Sequence, residues 1–303
     1  MGLVLAAAMI LAAFVLLRSE WEKLQLRPVR YRIPTEKTVR NSGGQPAENR
    51  KLRLLFISDL HDYVPARHRP EEILQRIDDE QPDAILVGGD MITASRYRKR
   101  PQPDTAAALN LLRQLAEKYP VYYGEGNHEN RLRERNEEAY AAYVTELLKL
   151  GIRYLADTSC SLTLGNGTES GISVTGISLE PEYYLSKPGF GLSQQLPEGY
   201  LGEKLAGTDP SAFRILLLHS PAFLKDAAEQ GIDLVLSGHY HGGTVRLPGG
   251  TGLMTPQCRF FVKECSGRFH EKDTDMIVTR GLGTHSIRMR LNDLPELTVI
   301  DII

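Results

Sequence analysis

The sequence has few cysteines and no excess of charge of either sign. Its three cysteines, Cys160, Cys258 and Cys265, form no CxxC pair, so a disulfide framework or a cysteine metal site is disfavoured and the thiols are interpreted as incidental. With 36 basic against 38 acidic residues, the chain lacks the positive field that non-specific nucleic-acid binding requires. No specific nucleic-acid partner is predicted, although nucleic acid stays open as a substrate.

Long hydrophobic runs are also scarce, and the longest lies at the N-terminus. Residues 1–17 carry no charged side chain, and no basic segment precedes the apolar run. A cleaved signal peptide would have that basic segment and a small-residue cleavage site, so the pattern favours an uncleaved membrane anchor over residues 1–18, with Trp21 at the interface. Because Lys and Arg lie only on its C-terminal flank, we expect a single-pass protein of the cell membrane with its folded part on the cytoplasmic face.

The rest of the chain is long and apolar enough for a full core. With 303 residues, of which 42% are hydrophobic, it can form one large α/β domain or two small ones. Residues 19–50 combine prolines, a Gly pair and many charges, which is typical of a linker or stalk, or of an edge strand followed by a loop. The catalytic domain is predicted over residues 51–303.

Buried strands and amphipathic helices alternate in the first half of this domain. The segments "LRLLFISDLH", "AILVGGD" and "PVYYGEGNHE" predict buried strands that end in polar residues, and "PEEILQRIDDEQPD" predicts a helix that begins at Pro70 and ends before Pro82. Residues 104–119 predict a helix with Asp104 as its N-cap, and residues 132–150 predict one continuous helix ended by Gly151. Residues 161–178 have the Gly/Asn turn of a β-hairpin, and "FRILLLHS" and "IDLVLSGHYHGG" predict two further strands, each followed by histidine.

Five of these strands end in loops that carry metal-ligand residue types. Each loop alone is weak, since a single Asp or His after a strand is usually a cap, turn or hydrogen-bonded residue. Because ligands bind at the carboxyl ends of strands in an open α/β sheet, we expect the five loops to form one site. The candidate residues are Asp59, His61, Asp90, Asn127, His128, His219, His239 and His241. Residues 239–241 are predicted to be extended, which would direct both histidines the same way and Tyr240 away from them.

The residue types of this set indicate its chemistry. Carboxylates, imidazoles and one amide, without a thiolate, suit divalent ions such as Mn, Fe, Zn or Co. The ligands are too many for one tetrahedral ion but suffice for two ions about 4 Å apart that share a bridging carboxylate. Two such ions activate a water for attack on phosphorus and neutralise charge on its oxygens, so phosphoester hydrolysis is the predicted reaction.

The blocks "SDLH", "GGD", "GNHE", "LLLHSP" and "SGHYHGG" occur in this order along the chain. Together they resemble the calcineurin-like metallophosphoesterase superfamily, and with the apolar N-terminal run they resemble its bacterial membrane-associated branch, similar to YaeI and YkuE. The branch also resembles the UDP-diacylglucosamine pyrophosphatases. The resemblance implies an α/β fold, specifically a four-layer α/β/β/α sandwich of two mixed sheets.

The resemblance also implies a role for each candidate residue. One metal ion would be bound by Asp59, His61 and His241, and the other by Asn127, His219 and His239. Asp90 would bridge the two ions. His128 would be the catalytic residue, which contacts the scissile phosphate and is not a ligand.

The predicted function is therefore a dinuclear-metal phosphohydrolase that cleaves phosphodiester or pyrophosphate bonds of a phosphorylated small molecule, a lipid-linked compound or a nucleotide-sugar. A phosphomonoesterase or protein phosphatase would use the same metal core. A non-catalytic, membrane-tethered binding protein is disfavoured because no ligand position is missing, and a structural zinc protein would hold a single ion.

Several residues lie outside these blocks or depart from them. Arg67 and Arg69 would contact a second phosphate or form a solvated edge. His68, His270 and His285 are expected to be surface or structural residues. Thr244 stands where relatives often have Gln. Residues 179–212 match no block and are a candidate cap over the metals.

Overall fold

Helices and strands alternate through the part of the chain that this computed structural model describes, which is residues 1–40, 52–61, 70–187, 191–192, 194–255, 259–284 and 288–303. The helices are α1 (Gly2–Glu22), α2 (Pro70–Glu80), α3 (Ala106–Ala116), α4 (Asn127–Arg135), α5 (Glu137–Lys149), α6 (Tyr200–Lys204) and α7 (Leu224–Glu229). The strands are β1 (Arg27–Ile33), β2 (Leu52–Ile57), β3 (Ala84–Val87), β4 (Val121–Gly124), β5 (Arg153–Leu155), β6 (Thr158–Thr163), β7 (Glu169–Ile177), β8 (Ser186–Lys187), β9 (Gly191–Leu192), β10 (Phe213–Leu218), β11 (Leu234–Ser237), β12 (Gly252–Met254), β13 (Phe260–Val262), β14 (Gly267–Glu271), β15 (Thr274–Val278) and β16 (Glu296–Ile302).

Most of these strands form two six-stranded mixed sheets. The first sheet has the order β1-β16-β2-β3-β4-β5, and the second has the order β14-β15-β11-β10-β7-β6. Strands β2 to β5 are parallel in the first sheet, and β7, β10, β11 and β15 are parallel in the second. The β6–β7 hairpin is antiparallel, which confirms the turn predicted within residues 161–178.

Successive side chains of β2 pack into two different cores. Leu54 and Phe56 lie in the core between the two sheets, whereas Leu55 and Ile57 pack with helices α2 to α5. Because alternate residues of a strand point to opposite faces, a strand with both faces buried must be apolar throughout, as "LRLLFI" nearly is. Each fully buried Leu or Phe contributes roughly 1.5–3 kcal/mol to folding.

The second sheet repeats this arrangement in β10. Ile215 and Leu217 pack in the core between the sheets, and Leu216 and Leu218 pack on the outer face with α6 and α7. The order of layers is therefore helices, sheet, sheet, helices. This confirms the α/β/β/α sandwich of two mixed sheets.

Helix α1 is apolar and largely exposed, and its C-terminal end packs against the loop before β16. It is the one helix in the described ranges that is long and apolar enough, by length and composition alone, to cross a membrane. The Ser19 hydroxyl accepts a hydrogen bond from the Arg290 N–H (3.0 Å), and the Glu22 carboxylate accepts one from the Asp293 N–H (3.1 Å). These contacts join the end of α1 to the sheet domain.

The segment expected as a linker contributes an edge strand. Strand β1 pairs in parallel with β16 along seven residues, from Arg27 opposite Glu296 to Ile33 opposite Ile302. The backbone N–H of Arg40 also donates to the carbonyl of Ser170. Residues 27–40 therefore belong to the sheet domain, which places a folded strand ahead of the boundary expected at residue 51.

Two helix predictions need correction. The single helix predicted over residues 132–150 is instead α4 and α5, broken at Asn136 (φ −154°, ψ 74°). Asn136 caps α5 through its side-chain oxygen and donates to the carbonyl of Pro101, a non-helical role that apolar periodicity does not reveal. The helix bounds put the N-cap of α3 at Thr105, one residue after the predicted Asp104. The Asp104 carboxylate still makes the side-chain capping bond, because it accepts the N–H of Ala106 (3.0 Å).

Candidate metal centre

The eight candidate residues meet where the carboxyl ends of both sheets face each other. Loops after β2, β3 and β4 contribute from the first sheet, and loops after β10 and β11 contribute from the second. All eight side chains are buried, although each follows a strand and could have faced solvent. The structure thus brings together Asp59, His61, Asp90, Asn127, His128, His219, His239 and His241.

One group of three comprises Asp59, His61 and His241. The Nε2 atoms of the two histidines lie 3.0 Å apart, and Asp59 Oδ1 is 3.3 Å from His241 Nε2 and 3.8 Å from His61 Nε2. Three donor atoms from β2 and β11, which belong to different sheets, therefore converge on one point.

A second group comprises Asp90, His219 and His239, whose donor atoms all lie within 4.8 Å of one another. His219 Nδ1 lies 2.7 Å from the carbonyl of Gly88, so Nδ1 carries the proton and Nε2 faces the site, 3.2 Å from Asp90 Oδ2. The buried amide oxygen of Asn127 has no hydrogen-bond partner among the described residues. Such an oxygen is costly to bury unless something binds it.

Asp90 lies between the two groups. Its Oδ2 atom is 3.2 Å from His219 Nε2 and 3.7 Å from His61 Nε2, while its Oδ1 atom accepts the backbone N–H of His128 at 2.7 Å. One carboxylate is therefore near donors of both groups.

The donor atoms fit a divalent cation. Metal–nitrogen and metal–oxygen bonds of about 2.0–2.2 Å place neighbouring ligand atoms of one ion roughly 3.0–3.5 Å apart. The separations in the first group, 3.0 to 3.8 Å, are close to this range. Imidazole nitrogens and carboxylate oxygens this close together, with the amide oxygen of Asn127 unsatisfied, are what a bound cation would stabilise.

His128 lies in the first turn of helix α4 beside this set, and its ring has a defined orientation. The backbone N–H of Ala94 donates to His128 Nδ1 at 2.9 Å. Because Nδ1 accepts this bond, the neutral ring carries its proton on Nε2, which lies 4.0 Å from Asp90 Oδ2. His128 therefore presents a proton donor to the same space as the metal-ligand groups.

Comparison with known proteins identifies the family that carries this arrangement. Residues 52–243 match the family model of the calcineurin-like phosphoesterases. The chain belongs to the calcineurin-like phosphoesterase family. It is a metal-dependent hydrolase of phosphoric esters.

Three curated bacterial relatives are similar over most of their length. The uncharacterized metallophosphoesterase YkoQ of Bacillus subtilis is 28% identical over 86% of this chain and 87% of its own. The uncharacterized metallophosphoesterase YkuE of the same organism is 28% identical over 82% and 78%, and the phosphodiesterase YaeI of Escherichia coli is 27% identical over 83% and 82%. The resemblance drawn from the sequence blocks is confirmed.

Left-handed backbone conformations shape the site of this calcineurin-like phosphoesterase. Five candidate residues have positive φ: Asp59 (57°), His61 (54°), Asp90 (51°), His239 (68°) and His241 (47°). The extended conformation predicted for residues 239–241 is therefore wrong, because the chain turns tightly there. Tyr240 still points away, into a cluster with Val262 and Cys265.

Two glycines allow the loops of the phosphoesterase to approach closely. A Cβ on Gly238 would lie 2.1 Å from Asp59 Oδ2, and a Cβ on Gly89, whose φ is +86°, would lie 2.1 Å from the Gly126 nitrogen. Since real side chains do not tolerate such distances, glycine is required at both positions.

Glu129 is a site residue that the sequence reasoning missed. Its buried carboxylate accepts the backbone N–H groups of Asp90 (2.9 Å), Met91 (3.1 Å) and Gly126 (3.0 Å), and the Tyr123 hydroxyl (2.7 Å). It therefore fixes the loop after β3 to the loop after β4. In the sequence, Glu129 is only the last residue of "GNHE". Its contacts with the loop after β3 cannot be inferred until the fold brings the two loops together.

The protonation states of the buried carboxylates and histidines in the site of the phosphoesterase depend on one another. Burial raises the pKa of Asp59 to about 6. Burial also acts to raise the pKa of Asp90, but the neighbouring His219 and His128 lower it well below its usual range. Burial acts to lower the pKa of His219, yet the Asp90 and Asp59 carboxylates raise it to about 10. Two buried carboxylates thus require positive charge beside them, and a bound cation would supply it in place of protons.

The remaining predictions divide by location. Tyr184, within residues 179–212, packs its ring 5.0 Å from that of His239, so this segment contacts the site. His270 is exposed, as expected, and Cys160 and Cys265 are free thiols. The predictions for Arg67, His68, Arg69, Cys258 and His285 lie outside the described residues.

Proposed function

We propose that this chain is a dinuclear-metal phosphohydrolase that cleaves phosphodiester or pyrophosphate bonds. One ion would be held by Asp59, His61 and His241, and a second by Asn127, His219 and His239. Asp90 would bridge them. The observation that carries this proposal is the placement of the Asp90 carboxylate, 3.2 and 3.7 Å from donor nitrogens of the two groups.

Two divalent ions, when bound, activate a water as the nucleophile and neutralise charge on the phosphoryl oxygens. The side chains of the protein hold the metal ligands in position and exclude bulk water. His219 is held by Gly88 and Asp59 by the N–H of His239, so neither ligand rotates away. Burial of all eight side chains keeps bulk water from the phosphoryl group.

His128 completes this mechanism as the proton donor. With its Nδ1 occupied by the Ala94 N–H, the ring directs Nε2–H towards the space beside Asp90. A substrate phosphoryl group bound there would receive this hydrogen bond, and the leaving oxygen would take the proton as its bond to phosphorus breaks.

A diester or pyrophosphate substrate is supported by the similarity to the phosphodiesterase YaeI. A membrane location is supported by the length and apolar composition of α1. The end of α1 is hydrogen-bonded to residues 290 and 293, and Arg290 in turn donates to the carbonyls of Gly281 and Gly283. Gly283 N–H donates to the carbonyl of Asp59, so a short chain of contacts links the anchor to the site. We therefore propose an enzyme of the cell membrane that acts on a phosphorylated lipid or small molecule. The basic residues on the C-terminal flank of the apolar run, Arg18 and Lys23, support a cytoplasmic location for its catalytic domain.

The test is hydrolysis of bis(p-nitrophenyl) phosphate and p-nitrophenyl phosphate by protein reconstituted with Mn²⁺. We expect the diester to be cleaved faster than the monoester. Asp90→Asn should lower the rate of diester cleavage roughly 10³-fold, while Asp79→Asn, at an exposed carboxylate on α2, should leave it unchanged. A faster monoester reaction would favour a phosphomonoesterase. No hydrolysis by the wild type, or equal rates for wild type and Asp90→Asn, would contradict the proposal.

A further inference from the structure

A strongly basic loop lies beside the metal-ligand groups and has no role in the function proposed above. Residues 95–100, "SRYRKR", carry four basic side chains, and residues 96–100 are exposed. The whole chain has a formal net charge of −2, so this positive charge is local. We call residues 95–100 the basic loop.

The basic loop is fixed to the helix that carries His128. Arg131 of α4 donates to the carbonyl of Ala94 (2.9 Å), and Arg135 donates to the carbonyls of Arg96 and Arg98. Asn136 donates to the carbonyl of Pro101 at 3.0 Å. Both ends of the loop are therefore held by α4 and the residue that follows it, so the loop keeps its position relative to the site.

A cavity of about 250 Å³ lies between the basic loop and residues 101–104, which precede α3. Thr93, Ser95 and Arg98 line one part of it, and Gln102 and Asp104 line another. Thr93 Oγ1 lies 3.3 Å from His61 Nδ1. One residue that lines the cavity, Thr93, therefore contacts the proposed metal ligand His61.

The charged groups of the loop and cavity differ in their pairing. Arg100 pairs with Glu138 at 2.8 Å, and the Asp104 carboxylate accepts the N–H of Ala106. Arg98 makes no salt bridge within the described part of the chain, although it lines the cavity. An arginine fork without a carboxylate partner matches the oxygens of a phosphate or carboxylate group of a ligand.

We propose that this cavity is a subsite for a second anionic group of the substrate, and that Arg98 is the residue that binds it. The inference rests on the proposed function, since the first group would be the phosphoryl group at the metals. The substrate class is thereby narrowed to phosphoesters that carry a further phosphate or carboxylate near the scissile bond. Arg96 and Lys99 add positive potential that attracts such an anion.

The test compares anions that differ in one phosphate. Calorimetric titration of the Mn²⁺-loaded full chain would use a series of short α,ω-alkanediol bisphosphates and the matched alkyl monophosphates, with metal content measured before and after. At least one bisphosphate should bind about tenfold more tightly than its monophosphate, as expected for one additional charge-assisted contact. Arg98→Gln should remove this preference, and the matched control Arg100→Gln, in the same loop but paired with Glu138, should keep it.

Three results would overturn the subsite: no bisphosphate preference in the wild type, an unchanged preference in Arg98→Gln, or equal losses in Arg98→Gln and Arg100→Gln. Equal losses would indicate a diffuse basic surface, such as one that contacts anionic lipid headgroups. Failure of the proposed function is distinguishable, because it would appear as absent diester hydrolysis in the wild type whatever the ratio of the binding constants.

Discussion

The middle of the two sheets and the edge formed by the carboxyl ends of their strands differ in the side chains that they bury. In the middle, side chains such as Leu54 and Ile215 are apolar, fully buried and carried on regular strands. At the edge, the buried side chains are carboxylates, imidazoles and an amide, and five of these residues have left-handed backbone. Each strained or unsatisfied group costs on the order of 1–3 kcal/mol. The middle therefore stabilises the fold, and it holds the edge in an arrangement suited to a ligand.

The largest effect is expected from Asp90 at the edge. Asp90→Asn keeps the shape but removes the negative charge that lies near donor nitrogens of both groups, so kcat/KM for an aryl diester should fall roughly 10³-fold. In the metal-free protein, Asp90→Asn should lower the free energy of unfolding by less than the core truncation Leu54→Ala does. Steady-state kinetics and urea unfolding of the same preparation check both. If the activity loss were matched by a large loss of stability, the separation of roles between edge and middle would be broken.

Truncation of an apolar side chain in the middle of the sheets should have the opposite result, a loss of stability with metal binding retained. Leu54→Ala leaves a cavity between the sheets and should lower the unfolding free energy by about 2–5 kcal/mol, without changing metal content. Leu148→Ala on α5, where the side chain is 57% exposed, is the matched control and should cost less than about 0.5 kcal/mol. Chemical unfolding and metal analysis measure these. Loss of metal in Leu54→Ala at temperatures where it remains folded would show that the two regions are not separable.

Among the residues at the carboxyl ends of the strands, His128 is expected to act as a proton donor and not as a metal ligand. If it donates the proton to the leaving oxygen, His128→Gln should lower kcat roughly 10²-fold for alkyl esters, which need that proton. The loss should be much smaller for p-nitrophenyl esters, whose leaving group needs none, and metal content should not change. Rates across a series of leaving groups test this. A uniform loss across the series would instead assign His128 to charge stabilisation.

The smallest effect is expected at the opposite, amino-terminal edge of the first sheet. Burial acts to raise the pKa of Asp78, but hydrogen bonds from Lys118 and Tyr119, which precede β4, lower it. A lowered carboxyl pKa contributes stability above the pKa of the unfolded chain, and this is lost as pH falls through the folded value. Asp78→Asn should therefore cost less than about 1 kcal/mol at neutral pH.

The measurement is urea unfolding of wild type and Asp78→Asn at neutral and strongly acidic pH. The difference in unfolding free energy should vanish at the acidic end. A difference that grew as the pH fell would have the wrong sign.

Sequence reasoning predicted the regions that depend on local pattern. Apolar strands that end in Asp, Asn or His, such as "LRLLFISDLH", identified the residues that meet at the carboxyl ends of the strands, whereas the sandwich was implied by the resemblance to the calcineurin-like family. What failed depends on conformation or on distant contacts. The positive φ of His239 and His241 overrides the extended pattern, and Asn136 breaks a helix whose periodicity continues through it.

Glu129 and Arg98 were missed for a related reason. Glu129 acts by accepting N–H groups from two loops separated in sequence, and Arg98 borders a cavity formed with residues 101–104, which precede α3. In the sequence they are an acid in a helix and one charge in a basic run, which are usually solvated residues. Only the packing of the loops after β3 and β4 gives them a position beside the site.

The most direct test of the central claim is the number of ions per chain. Elemental analysis of protein reconstituted with Mn²⁺ and freed of excess metal should give about two ions in the wild type, as proposed from the position of Asp90 near donor nitrogens of both groups. Asp90→Asn should give about one or fewer, while Asp79→Asn should remain at the wild-type value. One ion or none in the wild type, or two in Asp90→Asn, would contradict the account.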